Sequence, residues 1–231
     1  MDKGMVCVSV AAENAKSVAS AVRPVLDIVD VIEVRLDAMK VPQVKGCCEL
    51  LTKPLLFTNR PDWEGGEFEG PEGERIEPLF EAIEAKAAFV DFELNGHSRY
   101  RNQLLDAMEG SATRMIISCH DFQETPSSDR LADLLKEQMD SGAHIGKIVT
   151  VAHDPFDVLR VLNLLEEASK HDFPLCAFCM GETGRISRLT TLFFGGFMTY
   201  GALNETQATA PGQLSVRVMR DLLRTCQKQL G

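Results

Sequence analysis

A lysine and a histidine within two apolar segments are the residues of this chain best placed for chemistry. Lys147 lies in the apolar run 143–151, where a buried strand normally holds only uncharged side chains. His120 ends the apolar run 115–120, about one βα unit earlier. If both runs are consecutive parallel strands, the two side chains open at the same end of a sheet. The pair then places an amine nucleophile beside a proton carrier, as Schiff-base chemistry requires.

Alternatively, Lys147 is a lone lysine on a strand whose apolar stem packs against the protein while its ammonium group reaches water. Polar residues on other strands favour the functional interpretation. On the second strand, Glu33, Arg35 and Asp37 occupy alternate positions and so share one face. They form either an internal ladder of ion pairs or the polar mouth of a barrel, and the repetition on other strands favours the mouth. The third strand runs into Asn59, Arg60 and then Glu64, and the fourth carries Asp91 and Glu93.

Arginines supply the features of an anion site. A glycine-bearing turn after the seventh apolar run opens a helix that contains Arg185 and Arg188, and spacing alone does not separate these two as anchors. Arg35, Arg60 and Arg188 together predict a positive pocket for a small anionic, hydroxylated substrate. Among these cations the ammonium form of Lys147 is disfavoured, which makes the neutral amine available to attack a ketone.

The last loop, residues 203–213, is polar, rich in small residues and punctuated by proline and glycine. This composition is typical of a mobile lid over a site, and equally of a surface connection.

Short runs rich in β-branched residues recur along the chain and alternate with segments whose apolar residues are spaced three and four apart. The predicted strands are 5–10, 30–36, 54–58, 87–92, 113–119, 144–151, 174–180 and 197–201. Clear helices are predicted at 13–22, 74–86, 128–139, 155–169 and 213–230. This order predicts a single-domain α/β protein, a (β/α)₈ TIM barrel over residues 1–231. A doubly wound sheet is the alternative, weakened because Val10-Ala-Ala-Glu13 stands where a glycine-rich phosphate fingerprint would follow the first strand.

Bulk properties exclude several classes of protein. The 231 residues are 45% hydrophobic, and a formal net charge of -10 argues against a surface that binds nucleic acid or an anionic membrane. The N-terminus lacks a long apolar segment and a cleavage signal, so a cytoplasmic protein is expected. The seven cysteines are expected to be buried, reduced thiols. Cys176 and Cys179 would face opposite sides of a strand, which argues against redox or zinc use.

The other histidines have weaker claims. His144 lies three residues before Lys147 and so points away from its face, while His153 belongs to a helix start. His97 and His171 fall in charged surroundings, where solvated side chains are expected. A dyad of Cys119 with His120 is disfavoured because adjacent strand residues face opposite sides.

An ordered series of short motifs resembles the type I 3-dehydroquinate dehydratase family over nearly the whole chain. The motifs are Glu-Val-Arg at 33–35, Phe-Thr-Asn-Arg at 57–60, Glu-Gly-Gly at 64–66, Val-Asp-Phe-Glu at 90–93, Cys-His-Asp-Phe at 119–122, Lys147, Ile-Ser-Arg at 186–188 and Ala-Pro-Gly-Gln at 210–213. The resemblance implies a (β/α)₈ barrel, no metal or organic cofactor, and a homodimer. It also implies a small-molecule substrate, 3-dehydroquinate, in the shikimate pathway.

The resemblance also implies a role for each site residue. Lys147 forms an imine with the substrate's ketone, His120 moves the protons of the elimination, and Glu64 orients His120. Arg188 and Gln213 hold the substrate's carboxylate. The ring hydroxyls are held by Glu33, Arg35 and Arg60, with Ser9 and Thr209 completing the set.

Two features depart from the family pattern. Thr209 stands where the lid often has serine, which keeps the hydroxyl and adds a methyl group. The first strand begins at Met5, without the N-terminal hairpin that plugs the barrel bottom in some members, so a different closure of the lower end is expected.

Two other functions fit part of this pattern. A class I aldolase also uses a lysine on a barrel strand, but it usually grips a phosphate with glycine-rich loops after strands seven and eight. A non-catalytic homologue that senses the same metabolite would not need Lys147, His120 and Glu64 together. The molecule that becomes covalently attached to Lys147 distinguishes each of these alternatives from a dehydratase.

Overall fold

Eight parallel strands form one sheet in the order β7-β6-β5-β4-β3-β2-β1-β8, so β1 to β7 are neighbours in chain order and β8 pairs with β1. The computed structural model describes residues 4–204, 206, 209, 210 and 212–228. The strands are β1 Met5–Ala11, β2 Val31–Arg35, β3 Leu55–Thr58, β4 Phe89–Glu93, β5 Arg114–His120, β6 Ile145–Val151, β7 Leu175–Met180 and β8 Met198–Gly201. All eight lie within one or two residues of the predicted runs.

Helices connect the strands and cover the outside of the sheet. They are α1 Ala15–Val22, α2 Val44–Leu50, α3 Glu72–Glu84, α4 Ser98–Ala107, α5 Ser128–Asp140, α6 Pro155–Lys170, the short α7 Gly181–Gly184 and α8 Ser187–Thr190, and α9 Val216–Lys228. Within the described residues, no helix is long and apolar enough to cross a bilayer.

The sheet closes on itself, although its last seam is not a full ladder. The backbone N–H of Phe197, just before β8, donates to the carbonyl of Leu175 at the start of β7 (2.9 Å). Strand order and this contact give a nearly closed barrel with interleaved helices. The predicted single-domain (β/α)₈ barrel is confirmed, and the doubly wound alternative is wrong.

Alternation along each strand sorts side chains into two environments. Outward residues such as Val8 and Ile148 pack in the clusters between sheet and helices. Inward residues near the strand starts form an apolar cluster inside the barrel, to which every strand contributes: Cys7, Val31, Leu56, Phe89, Ile116, Ile145, Cys176 and Met198. Two residues further along several of these strands, the inward positions become polar. The polar and ionisable side chains therefore lie towards the C-terminal ends of the strands, where active sites of this fold are found.

Aromatic side chains fill the lower end of the barrel. Phe89 and Phe197 meet edge to face with ring centroids 5.9 Å apart. The guanidinium carbon of Arg114, at the start of β5, lies 5.2 Å from the centroid of the Phe197 ring. In the described residues, these groups together with Met198 form the floor beneath the site.

Four of the five predicted helices begin within two residues of the predicted position, and the last one does not. Ser127 caps α5 by accepting from the N–H of Arg130 (3.3 Å). The last helix was predicted from Gln213, but α9 begins at Val216. Ser215 pairs with Ala202 in a short parallel bridge, which keeps this stretch extended past β8. The predicted end at Leu230 lies outside the described residues.

The start of α6 carries a reciprocal capping box. Asp154 accepts from the N–H groups of Phe156 (2.7 Å) and Asp157 (3.0 Å), and the Asp157 carboxylate accepts in return from the N–H of Asp154 (3.2 Å). Asp157 also accepts from the N–H of His153 (2.7 Å), so the box ties the β6–α6 loop to the helix.

We expect Asp154→Ala to lower the free energy of unfolding by about 1–2 kcal/mol, because two helix N–H groups lose their acceptor. Asp154→Asn keeps a capping oxygen and should retain most of the stability. Urea unfolding followed by circular dichroism gives both values. Equal unfolding midpoints for the alanine variant and the parent chain would contradict the assigned cap.

Candidate active site

The ammonium group of Lys147 lies inside the barrel, above the apolar floor, and the side chain is buried at 4% exposure. Its Nζ lies 3.3 Å from Asp91 Oδ2 and 3.9 Å from Glu33 Oε1. On another side, Nζ lies 4.2 Å from the centroid of the Tyr200 ring. The interpretation of Lys147 as a chain end reaching bulk water is therefore wrong.

The backbone of Lys147 is supported from outside the barrel by a residue that the sequence analysis missed. Gln138 of α5 is fully buried, and its Nε2 donates to the Lys147 carbonyl (2.9 Å). Gly146 makes room for this contact, because a Cβ there would lie 2.5 Å from Gln138 Oε1.

His120, at the end of β5, is oriented by Glu64. Glu64 Oε1 lies 2.8 Å from the imidazole Nδ1 and also accepts from the backbone N–H of His120 (3.1 Å). Glu64 Oε1 already acts as an acceptor towards the backbone N–H of His120. An acceptor beside Nδ1 favours the imidazole tautomer that carries its proton on Nδ1. That tautomer leaves the Nε2 lone pair available as a base. The ring of Phe122 stacks on the imidazole, with centroids 5.9 Å apart and planes 15° apart.

The loop after β3 brings Glu64 over the barrel by a tight reversal. The N–H of Gly66 donates to the carbonyl of Pro61 (2.9 Å), and the N–H of Phe68 donates to that of Arg60 (3.2 Å). Gly65 has φ +76°, and a Cβ on it would lie 2.5 Å from the Phe122 ring. The Glu-Gly-Gly motif therefore places Glu64 while leaving room for the ring that covers His120.

Burial sets the protonation of this pair. It lowers the pKa of His120 well below its usual 6.5, and the cations Arg60 and Lys147 act in the same direction. Burial also raises the pKa of Glu64 to about 8, against the effect of Arg60, whose Nη1 lies 3.6 Å from Glu64 Oε1. His120 is consequently a neutral imidazole, ready to accept a proton, at neutral pH.

Arg60 is fully enclosed by the carboxylates of β4. Its Nη2 donates to Asp91 Oδ1 (2.8 Å), and its Nη1 donates to Glu93 Oε1 (2.7 Å) and Ser118 Oγ (2.8 Å). Burial acts to raise the pKa of Asp91, but Arg60 and Lys147 outweigh it and hold that pKa below its usual value. Asp91 therefore remains an anion that links Arg60 to Lys147.

A second ion pair joins the loops after β2 and β3. Asp37 accepts from Arg35 Nε (2.9 Å) and from the backbone N–H groups of Arg60 (3.2 Å) and Glu67 (3.1 Å). Strand β2 ends at Arg35, so Asp37 does not continue the strand face as predicted. It lies in a short 3₁₀ turn, Leu36–Ala38, from which its carboxylate turns back to Arg35.

The remaining predicted residues close the pocket on the far side. Arg188 is buried, its guanidinium carbon lies 4.8 Å from the centroid of Phe178, and burial lowers its pKa to about 10. Gln213 Oε1 accepts from the N–H of Thr209 (2.8 Å), and Gln213 Nε2 donates to Thr209 Oγ1 (3.2 Å). Ser9 Oγ is buried and has no hydrogen-bond partner among the described residues.

The loop that carries Thr209 and Gln213 rests on the turn after β7. Gly212 has φ +76°, and a Cβ on it would lie 2.3 Å from the carbonyl oxygen of Gly181. Only glycine allows this close approach. Pro211 of the 210–213 motif lies outside the described residues, as do positions 205, 207 and 208 of the predicted lid.

All ten predicted site residues line one pocket at the C-terminal ends of the strands. They are Ser9, Glu33, Arg35, Arg60, Glu64, His120, Lys147, Arg188, Thr209 and Gln213. Arg185, the other candidate anchor, is exposed outside it. The pocket also contains apolar residues that were not predicted, among them Phe178, Met180 and Tyr200. Strand alternation could have found the first two, which lie two and four positions after the inward Cys176.

The predicted charge of the pocket needs correction. Arg35 is paired with Asp37, and Arg60 with Asp91 and Glu93, so these arginines do not create a positive pocket. Lys147 Nζ has carboxylate oxygens of both Asp91 and Glu33 within 4 Å. For Arg60 the error arises because acids on a neighbouring strand cannot be assigned from the spacing within one strand. For Arg35 the alternative of an internal ion pair, with Asp37 two residues further on, is the correct one.

The competing residues lie outside this arrangement. His144 is exposed and accepts from the N–H of Met115 (3.1 Å). Cys176 packs inside the barrel and Cys179 outside it, as alternation predicted, and Cys119 packs against the outer cluster. All seven cysteines are free thiols, but the expected burial is wrong for three of them, because Cys226 is exposed and Cys48 and Cys119 are half-buried. Within the described residues, no group of three or more His, Cys, Asp or Glu side chains is placed to hold a metal ion.

We expect the His120 imidazole to stay neutral, with its proton on Nδ1, down to a pH well below 6.5. Nitrogen NMR of the labelled imidazoles measures both properties, and His120→Asn assigns the signal. Because the unfolded chain binds this proton more readily, the neutral histidine stabilises the fold above about pH 6.5, and that stability is lost as the pH falls through the lower folded pKa. Titration at or above 6.5 would contradict the assigned environment.

Comparison with known proteins agrees with this geometry. A family model described as type I 3-dehydroquinase matches residues 6–229. The 3-dehydroquinate dehydratase of Desulfotalea psychrophila is 42% identical over 193 residues, which cover 84% of this chain and 85% of that protein.

Two solved structures share the fold over nearly their full length. The 3-dehydroquinate dehydratase of Geobacillus kaustophilus superposes with a TM-score of 0.89 at 26% identity, covering 98% of this chain and 92% of that one. The type I enzyme of Clostridium difficile, solved with covalently modified comenic acid, gives a TM-score of 0.88 at 27% identity and covers 99% and 94%. The chain, with its buried lysine and glutamate-oriented histidine in a (β/α)₈ barrel, therefore belongs to the type I 3-dehydroquinase family.

Proposed function

We propose that this protein is a hydro-lyase of the shikimate pathway that converts 3-dehydroquinate into 3-dehydroshikimate through a Schiff base on Lys147. The observation that carries the proposal is one buried pocket that contains both the Lys147 amine and a neutral His120 fixed by Glu64. Ser118 pairs with Lys147 between β5 and β6, and His120 lies two residues beyond Ser118. The base therefore sits roughly 7 Å nearer the barrel mouth than the nucleophile's backbone.

The reaction begins at the amine. Nζ, which lies 3.3 Å from Asp91 Oδ2, attacks the ketone carbon at C3 as the neutral amine. Loss of water from the carbinolamine gives an iminium ion, whose positive nitrogen withdraws electrons and acidifies the neighbouring C2.

His120 then performs the elimination. Its Nε2 removes a proton from C2, and the resulting electron pair expels the C1 hydroxyl, which takes a proton from His120 and leaves as water. Hydrolysis of the product imine consumes one water, releases 3-dehydroshikimate and regenerates the amine. The net change is the loss of one water from the substrate.

Recognition of the substrate divides between two sides of the pocket. Arg188 and Gln213, beside the β7 end, suit the carboxylate, because a guanidinium and an amide N–H both donate to it. Glu33 and Arg35, across the barrel, suit ring hydroxyls, with Ser9 and Thr209 as further hydroxyl partners.

Arg60 has few N–H groups left to bind the ring hydroxyls of the substrate. Among the described residues it already gives three of its five N–H groups to Asp91, Glu93 and Ser118. At most two N–H groups remain for the substrate, so we assign Arg60 mainly to the positioning of these carboxylates and of Glu64.

We expect treatment with 3-dehydroquinate and borohydride to leave a reduced adduct on Lys147. Its mass should be that of the dehydrated product, one water less than the reduced adduct of the intact substrate. Lys147→Ala should abolish both adduct and turnover. His120→Ala should still trap substrate, with its water retained, while turnover falls by roughly 10²–10⁴-fold. The exposed Lys136→Ala is the matched lysine control and should behave like the parent chain. Intact and peptide masses together with a product absorbance assay give these results.

Each contrary outcome has a distinct meaning. Full turnover by Lys147→Ala would end the Schiff-base proposal. An adduct that keeps its water in the parent chain, without turnover, would identify a binding protein. If no adduct forms, phosphorylated aldehydes and ketones test the aldolase alternative.

We also propose a cytoplasmic homodimer. The free thiols of all seven cysteines suit a reducing compartment. One apolar surface, defined by Phe156, Leu159, Ile186, Phe193 and Phe194, lies on α6 and on the segment from α7 to the turn after α8, which pack against each other. Exposed apolar side chains on elements that pack against each other suit a second copy of the chain.

We expect Phe194→Asp to convert a dimer of twice 25.5 kDa into a monomer, because the substitution places a charge in the apolar surface. Val41→Asp, exposed at the loop before α2 and outside that surface, should leave the dimer intact. Light scattering after size-exclusion chromatography measures the mass. A monomeric parent chain would contradict the dimer, and a dimeric Phe194→Asp would place its interface elsewhere.

A further inference from the structure

Tyr200 is an unpredicted aromatic residue directly beside the nucleophile. It is the inward residue of β8 two positions above Met198 of the apolar floor, and its side chain is 3% exposed. The centroid of its ring lies 4.2 Å from Lys147 Nζ. The ring also packs against Phe178, with centroids 5.9 Å apart. Nζ therefore lies close to an aromatic ring that neighbouring side chains hold in place.

Carboxylates and the aromatic ring contact Nζ in different ways. Asp91 and Glu33 hold an ammonium group by directional hydrogen bonds or ion pairs, at 3.3 and 3.9 Å. The Tyr200 ring attracts positive charge by its quadrupole, which requires no N–H group. An ammonium has three N–H donors, whereas an iminium on the same nitrogen has one. The ring contact survives this change, while most of the hydrogen bonds do not.

We propose that the ring of Tyr200 stabilises the iminium form of Lys147 and so sets how much imine the site accumulates; this inference rests on the proposed function. A free ammonium group can adjust towards Asp91 if the ring is removed. The iminium is bonded to a substrate held by other residues and cannot adjust in the same way. Loss of the ring therefore destabilises the iminium more than it destabilises the resting amine.

The hydroxyl group of Tyr200 is not the active part. Oη is buried and has no hydrogen-bond partner among the described residues. Burial also raises the pKa of Tyr200 well above its usual value, so the side chain stays a neutral phenol. The aromatic face is what Tyr200 supplies, and phenylalanine supplies the same face.

The test uses the imine equilibrium instead of turnover. In a His120→Ala background the reaction stops at the substrate imine, and the borohydride-trapped fraction at increasing 3-dehydroquinate gives an equilibrium constant for imine formation. Adding Tyr200→Leu should lower this constant roughly tenfold, which corresponds to about 1.4 kcal/mol. Adding Tyr200→Phe should keep it within about threefold of the parent. Phe89→Leu, in the floor of the same cluster, controls for a smaller aromatic core.

Fluorinated phenylalanines at position 200 separate ring electrostatics from packing. Each fluorine weakens the negative face of the ring with little change in shape, so the imine constant should fall stepwise from phenylalanine to its trifluoro form, at similar thermal stability. A flat series, or equal constants for tyrosine and leucine, would overturn the role of Tyr200 while leaving the Lys147 adduct in place. Absence of any adduct with Tyr200 present would instead overturn the proposed function.

Discussion

The pairing of buried charges inside the barrel is the constraint on which this structure depends. A parallel barrel turns every second side chain inward, away from water, so a charged side chain there needs a partner of opposite sign. Arg60 meets this requirement by lying between Asp91 and Glu93, and Asp91 in turn contacts Lys147. Removing one member would leave its partner buried without compensation. The positions of the nucleophile and of the loop that carries Glu64 therefore follow from one ionic network.

The surroundings of His120 and of Lys147, both at low exposure, favour opposite charge states. Around His120 burial disfavours charge, an effect that the cations Arg60 and Lys147 reinforce, and the result is a base. Around Lys147 the carboxylates of Asp91 and Glu33 and the ring of Tyr200 face Nζ, and all three attract positive charge there. A base next to a stabilised cation is the polarity that α-proton abstraction from an iminium requires. The two environments differ because β4 contributes acids near Lys147, while a glycine loop and Phe122 surround His120.

The sequence predicted the strands well because each is a short, largely apolar run between more polar segments, and the predicted site residues do meet in one pocket. Their partners were harder to predict. Arg60 looked like a pocket cation because its acids lie more than 30 residues away on β4, and only the register of β3 with β4 brings them together. Tyr200 was missed because an aromatic residue in a strand is ordinary in sequence. Its importance comes from Lys147 on β6, which lies two strands away around the barrel.

The carboxylate of Asp37 makes the second and third βα loops one mechanical unit. It binds the Arg35 guanidinium and, at the same time, the backbone N–H groups at both ends of the reversal that holds Glu64. A loop transplanted alone from another barrel would lose this anchor even if its own sequence were kept. Modular redesign of this scaffold must therefore treat residues 35–37 and 60–67 as a single cassette, inherited or exchanged together.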